Sequence, residues 1–384
     1  MPRRLPRSLP RSLPCSLILV PLLAPVLALH AAPALAQDVS VTLEPVRQNF
    51  ARSDDVQVRV TLANHGSTPQ FLLKWHTPVH GVQAPLFEVL RDGQPVRYLG
   101  IKAKRPAPGP GDYVRLEPGD AVSSTVELSA LYEMNVTGSY QLRYRTAGLG
   151  LFGSRALQPT TGQLESSQVS IWIDGRLPRG ARPPAKRAAA GSGSLEFSKC
   201  SNAQQEQVAA AIDAGRAMTV EGHDYLTGGP KPGAKAGARA GNRPGAAAGI
   251  SYGARYTTWF GVQDAERSAK ATKNFAAIRD AFENKPLKVD CGCNEPYFAY
   301  VYPAQPYTVY VCKAFWTAPL TGTDSRGGTM LHELSHFDIV AATDDHVYGQ
   351  QGAAELARTS PARAVNNADS YEYFGENTPV LQLK

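Results

Sequence analysis

Apolar residues in the first half of the chain come in short runs rich in Val, Thr, Leu and aromatics, at residues 39–43, 56–62, 71–75, 87–90, 122–128, 140–144 and 169–173. Turn material separates them, notably Asn64-His65-Gly66, Asp92-Gly93 and Pro118-Gly119. Such runs at regular spacing predict strands. Together they predict an all-β, antiparallel sandwich of immunoglobulin-like type across residues 37–174.

Past residue 195 the period lengthens. Ser201 is placed to cap a helix running to about residue 217. Residues 264–284 set Phe275, Ile278 and Phe282 on one helical face. Residues 297–302 and 307–312 predict a strand pair, residues 329–339 a helix, and Ser360-Pro361 the cap and first turn of the last helix. Helices against a modest sheet predict an α+β domain over residues 195–384, beginning helical.

Three segments fall outside this patterning. Arg3, Arg4, Arg7 and Arg11 precede an apolar run that proline interrupts, and Ala34-Leu35-Ala36 follows. This is the layout of a secretory signal peptide over residues 1–36, too short to anchor the chain in a membrane. Residues 175–194 shift to Arg, Pro, Ala and Gly, a composition that builds no core and predicts an exposed, protease-sensitive linker. Residues 228–249, rich in Gly, Ala and Pro, predict a surface insertion.

Charge changes the picture little. The formal net charge is +7, but the four leader arginines and the five cations of the linker (Arg176, Arg179, Arg182, Lys186 and Arg187) account for more than all of it. The folded parts are then slightly acidic, which excludes a nucleic-acid footprint. Once Cys15 leaves with the leader, Cys200, Cys291, Cys293 and Cys312 remain. An even number in an exported chain predicts two disulfides, with three possible pairings. A Cys291–Cys293 bridge would close a strained ring, and a Cys-x-Cys zinc site suits an exported chain poorly.

The strongest chemical signal is His332-Glu333-Leu334-Ser335-His336. On a helix, residues four apart share a face, so both imidazoles can reach one zinc ion. Glu333, one step around, is placed as a general base that does not ligate the metal. A catalytic zinc takes three protein ligands and keeps one position open. Asp344, Asp345 and His346 follow the helix, and spacing alone does not choose among them.

His-Glu-Leu-Ser-His-Phe followed by Thr343-Asp344-Asp345-His346-Val347-Tyr348-Gly349 resembles the deuterolysin, or aspzincin, family of metallopeptidases. The resemblance spans residues 195–384 and includes the segments 256–261 and 322–325. It implies a zincin-like α+β fold, one zinc ion held by His332, His336 and Asp345, and Tyr348 as a donor to the oxyanion. It also implies the disulfides Cys200–Cys291 and Cys293–Cys312. Ala342 stands where the family usually has Gly.

The segment around Asp369 and Glu372 is similar to that of the peptidyl-Lys metalloendopeptidases within the family, and two carboxylates three apart favour a cation between them. This implies hydrolysis of protein and peptide substrates on the amino side of lysine. The sandwich then becomes a pro-domain that inhibits its own enzyme intramolecularly, presenting Lys104 or, less favourably, Lys102 to the acids. Ala185-Lys186 is the bond that self-activation would cut, and a monomer with no nucleic-acid partner and no stable membrane anchor is expected. Competing readings are a deuterolysin-like protease without lysine preference and a non-catalytic secreted binding protein.

Overall fold

Alternation of side chains explains the N-terminal strands. In β1 (Val39–Pro45) and β3 (Gln57–Asn64) every second residue is buried, as a strand with one face on a core requires. The computed structural model describes residues 38–51, 53–149, 151–153, 161–174, 193–228 and 252–381. The expected signal peptide, the bond Ala185–Lys186 and nearly all of the 228–249 insertion lie outside the described residues.

One antiparallel sheet orders β1, β3 and β9 (Ala121–Glu127). A second orders β2 (Asn49–Phe50), β13 (Val169–Ile173), β10 (Gly138–Leu149), β5 (Phe87–Arg91) and β6 (Gln94–Pro95), with β12 (Thr161–Glu165) beside β10. A third orders β11 (Phe152–Gly153), β4 (Gln70–Leu73) and β8 (Tyr113–Leu116). Val58, Val60, Leu62, Val89, Tyr140, Leu142 and Ile171, from the first two sheets, close over one apolar core.

After the linker the chain begins with a strand rather than the expected helix. β14 (Leu195–Ser198) runs parallel to β15 (Leu287–Asp290), and the sequence pattern predicts neither strand. Each is only four residues long and is followed by helical or turn-rich sequence, so neither shows a clear two-residue period. The anticipated pair shrinks to β16 (Ala299–Val301) and β17 (Thr308–Val311), antiparallel with Tyr300 opposite Tyr310.

Helix α1 (Asn202–Thr227) is capped by Ser201, whose hydroxyl accepts from the Gln204 N–H, and runs ten residues past its expected end, to Gly228 in the left-handed conformation. Helix α3 (Ala265–Asn284) matches its periodicity, burying Phe275, Ile278 and Phe282. Helices α2 (Ala254–Phe260), α4 (Lys313–Thr317), α6 (Gln350–Thr359), α7 (Pro361–Ala364) and α8 (Ala368–Glu376) complete the set with α5 (Arg326–Ser335). A Cβ on Gly215 of α1 would come within 2.7 Å of the Gly327 carbonyl oxygen, so the close approach of α1 to α5 depends on glycine.

The two halves meet in one sheet. β7 (Lys102–Lys104), which precedes the linker, pairs antiparallel with β16 and completes the order β14-β15-β17-β16-β7. From Asp38 on, the described residues accordingly make one compact unit, with the N-terminal sheets attached to the α+β part by a shared edge strand.

Candidate active site

Helix α5 starts at Ser325, whose Oγ accepts from the Gly328 N–H at 2.9 Å and donates to Glu376 Oε1 at 2.7 Å. It ends at Ser335, four residues short of the expected boundary, where Ser335 Oγ turns back to the His332 carbonyl and to Thr343 Oγ1. His336 keeps helical angles (φ −73°, ψ −26°). The one-face spacing of His332 and His336 therefore survives the shorter helix, and their Nε2 atoms lie 3.1 Å apart.

The chain then reverses at Ala342, whose φ is +49°. The turn is fastened by the Thr343 N–H on the Ser335 carbonyl, the Asp344 N–H on the Asn366 carbonyl, and the His346 and Val347 N–H groups on Asn367 Oδ1. It delivers Asp345, whose Oδ1 is 3.1 Å from His332 Nε2 and 3.2 Å from His336 Nε2. Neither of its neighbours joins this group. Asp344 binds Lys102 Nζ at 2.6 Å and Asn366 Nδ2 at 3.0 Å, and His346 Nδ1 lies 3.4 Å from an Arg363 nitrogen.

These three atoms fit a zinc ion. Bonds of about 2.0–2.1 Å at tetrahedral angles separate ligand atoms by roughly 3.3 Å, close to the triangle seen. Among the described residues, Asp345 Oδ1 and Glu333 Oε2 are buried with no hydrogen-bond partner, which a buried polar atom rarely tolerates. His336 Nδ1 lies 2.9 Å from the Thr343 carbonyl, so an N–H there leaves Nε2 free to ligate. His332 Nδ1 is 3.0 Å from Asp369 Oδ1 and 3.2 Å from Glu372 Oε2.

Burial sets the protonation tendencies. Desolvation lifts the Glu333 carboxyl to about 8 against the pull of His332, a value suited to moving protons near neutrality. Desolvation also pushes Asp345 upward, but His336 and His332 hold it well below the usual carboxylate range. Tyr348 is buried with its ring edge-on to Trp75 at 5.7 Å. Burial drives its phenol well above the ordinary value, with Asp345 acting the same way and Arg105 opposing.

Beside the triad, α8 brings Asp369 and Glu372 to a fully buried pocket. A Cβ at Gly328 would sit 2.2 Å from Glu376 Oε1 and 3.0 Å from Glu372 Cγ, so the acidic face of α8 lies this near α5 because position 328 has no side chain. Lys104 enters the pocket with no exposed surface, its Nζ 2.7 Å from Glu372 Oε2, 3.1 Å from Asp324 Oδ1 and 3.9 Å from Asp369 Oδ1. Phe298 and Tyr373 wall it, with ring centroids 4.9 and 5.6 Å from the ammonium. Desolvation opposes this charge, yet Glu372, Asp369 and Asp324 outweigh it and raise the lysine above its usual value. Lys102 is placed apart from the acids, with Nζ on the Thr343 carbonyl and Asp344.

Three contributors were missed. Asp324 falls in the 322–325 segment that shares the family resemblance, but nothing there marks it for the pocket around Lys104: it lies 45 residues before Asp369 and contacts the ammonium from a turn (φ +52°). Asn367, which staples the Asp345 loop, and Arg105, over Tyr297 at 4.0 Å and Trp75 at 5.3 Å, become visible only in three dimensions. The four cysteines form Cys200–Cys291 and Cys293–Cys312, with Cα separations of 5.0 and 4.7 Å, the pairing that the resemblance implies.

The chain is similar to several known proteases. A family model described as lysine-specific metallo-endopeptidase, of aspzincin type, matches residues 246–376. An extracellular protease of Aeromonas hydrophila is 44% identical over 354 residues, covering 91% of this chain and 95% of its own. A peptidyl-Lys metalloendopeptidase of Grifola frondosa is 30% identical over 340 residues, covering 85% and 89%. A solved zinc peptidase from Grifola frondosa, 36% identical, aligns over 48% of this chain and all of its own with a TM-score of 0.40. On sequence identity sustained over nearly the whole of both chains, this protein belongs to the aspzincin family and is a zinc metalloendopeptidase acting on proteins or peptides.

Proposed function

We propose that this peptidase cuts on the amino side of lysine, and that it is exported as a monomeric zymogen whose N-terminal sandwich, of immunoglobulin-like type, closes its own cleft. The observation that carries this reading is Lys104. Its ammonium lies among Glu372, Asp324 and Asp369, and its backbone N–H donates to Glu333 Oε1 at 3.1 Å. A pocket that accepts a buried lysine there would accept a substrate lysine in the same place. The Aeromonas relative's name, extracellular protease, and the signal-like leader support export.

In this proposal His332, His336 and Asp345 hold the zinc. Zinc, when bound, supplies a Lewis acid for the scissile carbonyl and a nucleophilic water near neutral pH. Glu333 takes a proton from the attacking water and returns it to the departing nitrogen, whose place the Lys104 nitrogen marks. Tyr348 donates to the developing oxyanion. Asp369, Glu372 and Asp324 hold the substrate ammonium, which fixes the bond to be cut. Lys104 of the uncut chain occupies that place until the linker is opened, with Ala185–Lys186 the bond that the same specificity would select.

The test is cleavage mapping. Mature enzyme acting on a denatured protein should release fragments beginning with lysine, and Glu333→Gln should retain zinc while losing at least about a hundredfold in kcat. Cuts spread over other residues would remove the lysine assignment and leave a general aspzincin.

A further inference from the structure

The strand in the cleft has a polarity as well as a side chain. Ala103 lies opposite Tyr300 and Lys104 opposite Ala299 in the antiparallel ladder, and the Phe298 N–H donates to the Lys104 carbonyl at 3.1 Å. The Lys104 N–H donates to Glu333 Oε1 at 3.1 Å. When a bond before lysine is cut, the lysine nitrogen is the atom that must leave and must be protonated. Here that atom is the one held against the general base, in the residue whose side chain fills the acidic pocket. A segment serving only as an obstacle has no need of this match.

Both flanks of the Ala103–Lys104 bond are pinned. Upstream, Lys102 Nζ is fixed by the Thr343 carbonyl and Asp344. Downstream, the Arg105 guanidinium lies over Tyr297 and Trp75. Ala103 itself is 1% exposed and packs against Tyr297 and Cys312. A peptide bond held on both sides beside its catalytic base has already lost the freedom that normally slows reaction.

We propose, building on the lysine-directed reading above, that Ala103–Lys104 is itself a cleavage site, cut by the enzyme within its own chain during maturation. The oxygen of water bonds to the Ala103 carbonyl carbon, the C–N bond breaks, and its electron pair stays on the Lys104 nitrogen. Both water protons end on that nitrogen, one of them by way of Glu333. The products are an Ala103 carboxylate and a Lys104 α-ammonium. Two buried charges replace an uncharged amide, which weakens the docking of β7 on β16. The cut thus turns the pro-domain from a plug into a spent product.

The nick would not by itself separate the halves of the sandwich. Strands before the bond pair with strands after it: β3 with β9, β5 with β10 and β4 with β8. The pieces should therefore migrate together in native conditions and separate in denaturant.

The experiment uses the full chain carrying Lys186→Ala, loaded with zinc and incubated over a hundredfold range of protein concentration. Intact mass and N-terminal sequencing should reveal a new terminus reading Lys104-Arg105-Pro106. Its half-time should not depend on concentration, and it should be absent from chains that also carry Glu333→Gln. A rate proportional to concentration would overturn the intramolecular step. An intact Ala103–Lys104 bond, with mature wild-type enzyme still cutting a denatured protein before lysine, would overturn the inference and spare the lysine assignment. Mature enzyme that cuts elsewhere would sink both.

Discussion

His332 Nδ1 lies 3.0 Å from Asp369 Oδ1, so the ring that offers Nε2 to the metal site offers its other nitrogen to the lysine pocket. The histidine cluster and the Lys104 ammonium thus share a carboxylate. Partners in this second position commonly change metal affinity by about 10–100-fold when removed. Asp369→Asn is expected to weaken zinc binding by at least about tenfold and to reduce cleavage before lysine as well. Asp324 touches the ammonium at 3.1 Å through a side chain 38% exposed. Asp324→Asn should leave zinc affinity unchanged and lower kcat/KM for lysyl bonds only several-fold, as for a partly solvated pair worth about 1 kcal/mol. Competition with a chromophoric chelator and kinetics on a lysyl peptide measure the two effects. Equal zinc affinities in both variants would break the link between the sites.

The two strand lysines should differ in what they contribute to latency. Lys104→Ala leaves Glu372 and Asp369 buried without their cation, a loss of about 3–5 kcal/mol for a buried pair. The uncut chain should then turn over a small lysyl peptide at least about a hundredfold faster than wild type. Lys102 meets an Asp344 that is 36% exposed, so Lys102→Ala should raise that rate only about fivefold. Assays use chains that also carry Lys186→Ala, and initial rates are taken while intact mass shows every chain, the Lys104-containing ones included, still uncut. Similar rates in the two variants would refute the division of labour.

Short-range chemistry in this chain was legible from its sequence. The face shared by His332 and His336, the cap at Ser201 and the alternation of β1 and β3 each depend on neighbours within a few residues. The third residue of the cluster was not: Asp344, Asp345 and His346 fit equally by spacing, and the choice follows from Asn366 and Asn367 gripping the loop from the next turn of chain, beyond the range that spacing around the zinc helix can show. The resemblance pointed to Asp345 before any geometry did. The lysines of β7 show the same limit. Nothing in residues 98–106 fixes which lysine reaches the acids. That is set by the pairing of β7 with β16, about 200 residues away, where a shift of one residue would turn Lys104 to the opposite face. β14 and β15 escaped notice because four-residue strands inside a sheet carry almost no period.

Glu376 sets a pH dependence whose sign can be worked out. Its carboxyl accepts from the Ser325 N–H, Ser325 Oγ and the Asp324 N–H, yet desolvation and then Glu372 raise it to about 8. A carboxyl near 4.5 when unfolded and near 8 when folded holds more protons in the native state across that interval. Its contribution to stability is therefore full below about 4.5 and is lost as pH rises through about 8, by at most about 1.4 kcal/mol per pH unit. Glu376→Gln should remove this slope. Urea midpoints at matched zinc from pH 5 to 8.5, compared as wild type minus variant, isolate the group. A difference that stays flat or reverses sign would show that Glu376 is ionised throughout.

Ala342 is a residue whose backbone and side chain disagree. Its φ of +49° lies in the left-handed region, where a Cβ meets the following carbonyl at a cost of about 1–2 kcal/mol that glycine escapes. The position is nonetheless held, because the Ala342 N–H donates to the Phe337 carbonyl at 3.1 Å and Thr343 is fastened to Ser335 immediately after. Glycine here would gain freedom when unfolded, which offsets part of the relief by about 0.4–1 kcal/mol. Ala342→Gly should therefore stabilise the protein by several tenths to about 1 kcal/mol and leave zinc affinity intact, since the turn it forms is already the one that carries Asp345 to the histidines. Thermal unfolding with zinc saturating, alongside chelator competition, checks both halves. A lower Tm in the glycine variant would mean that the fastening around Thr343, rather than the angle at Ala342, limits the stability of the loop.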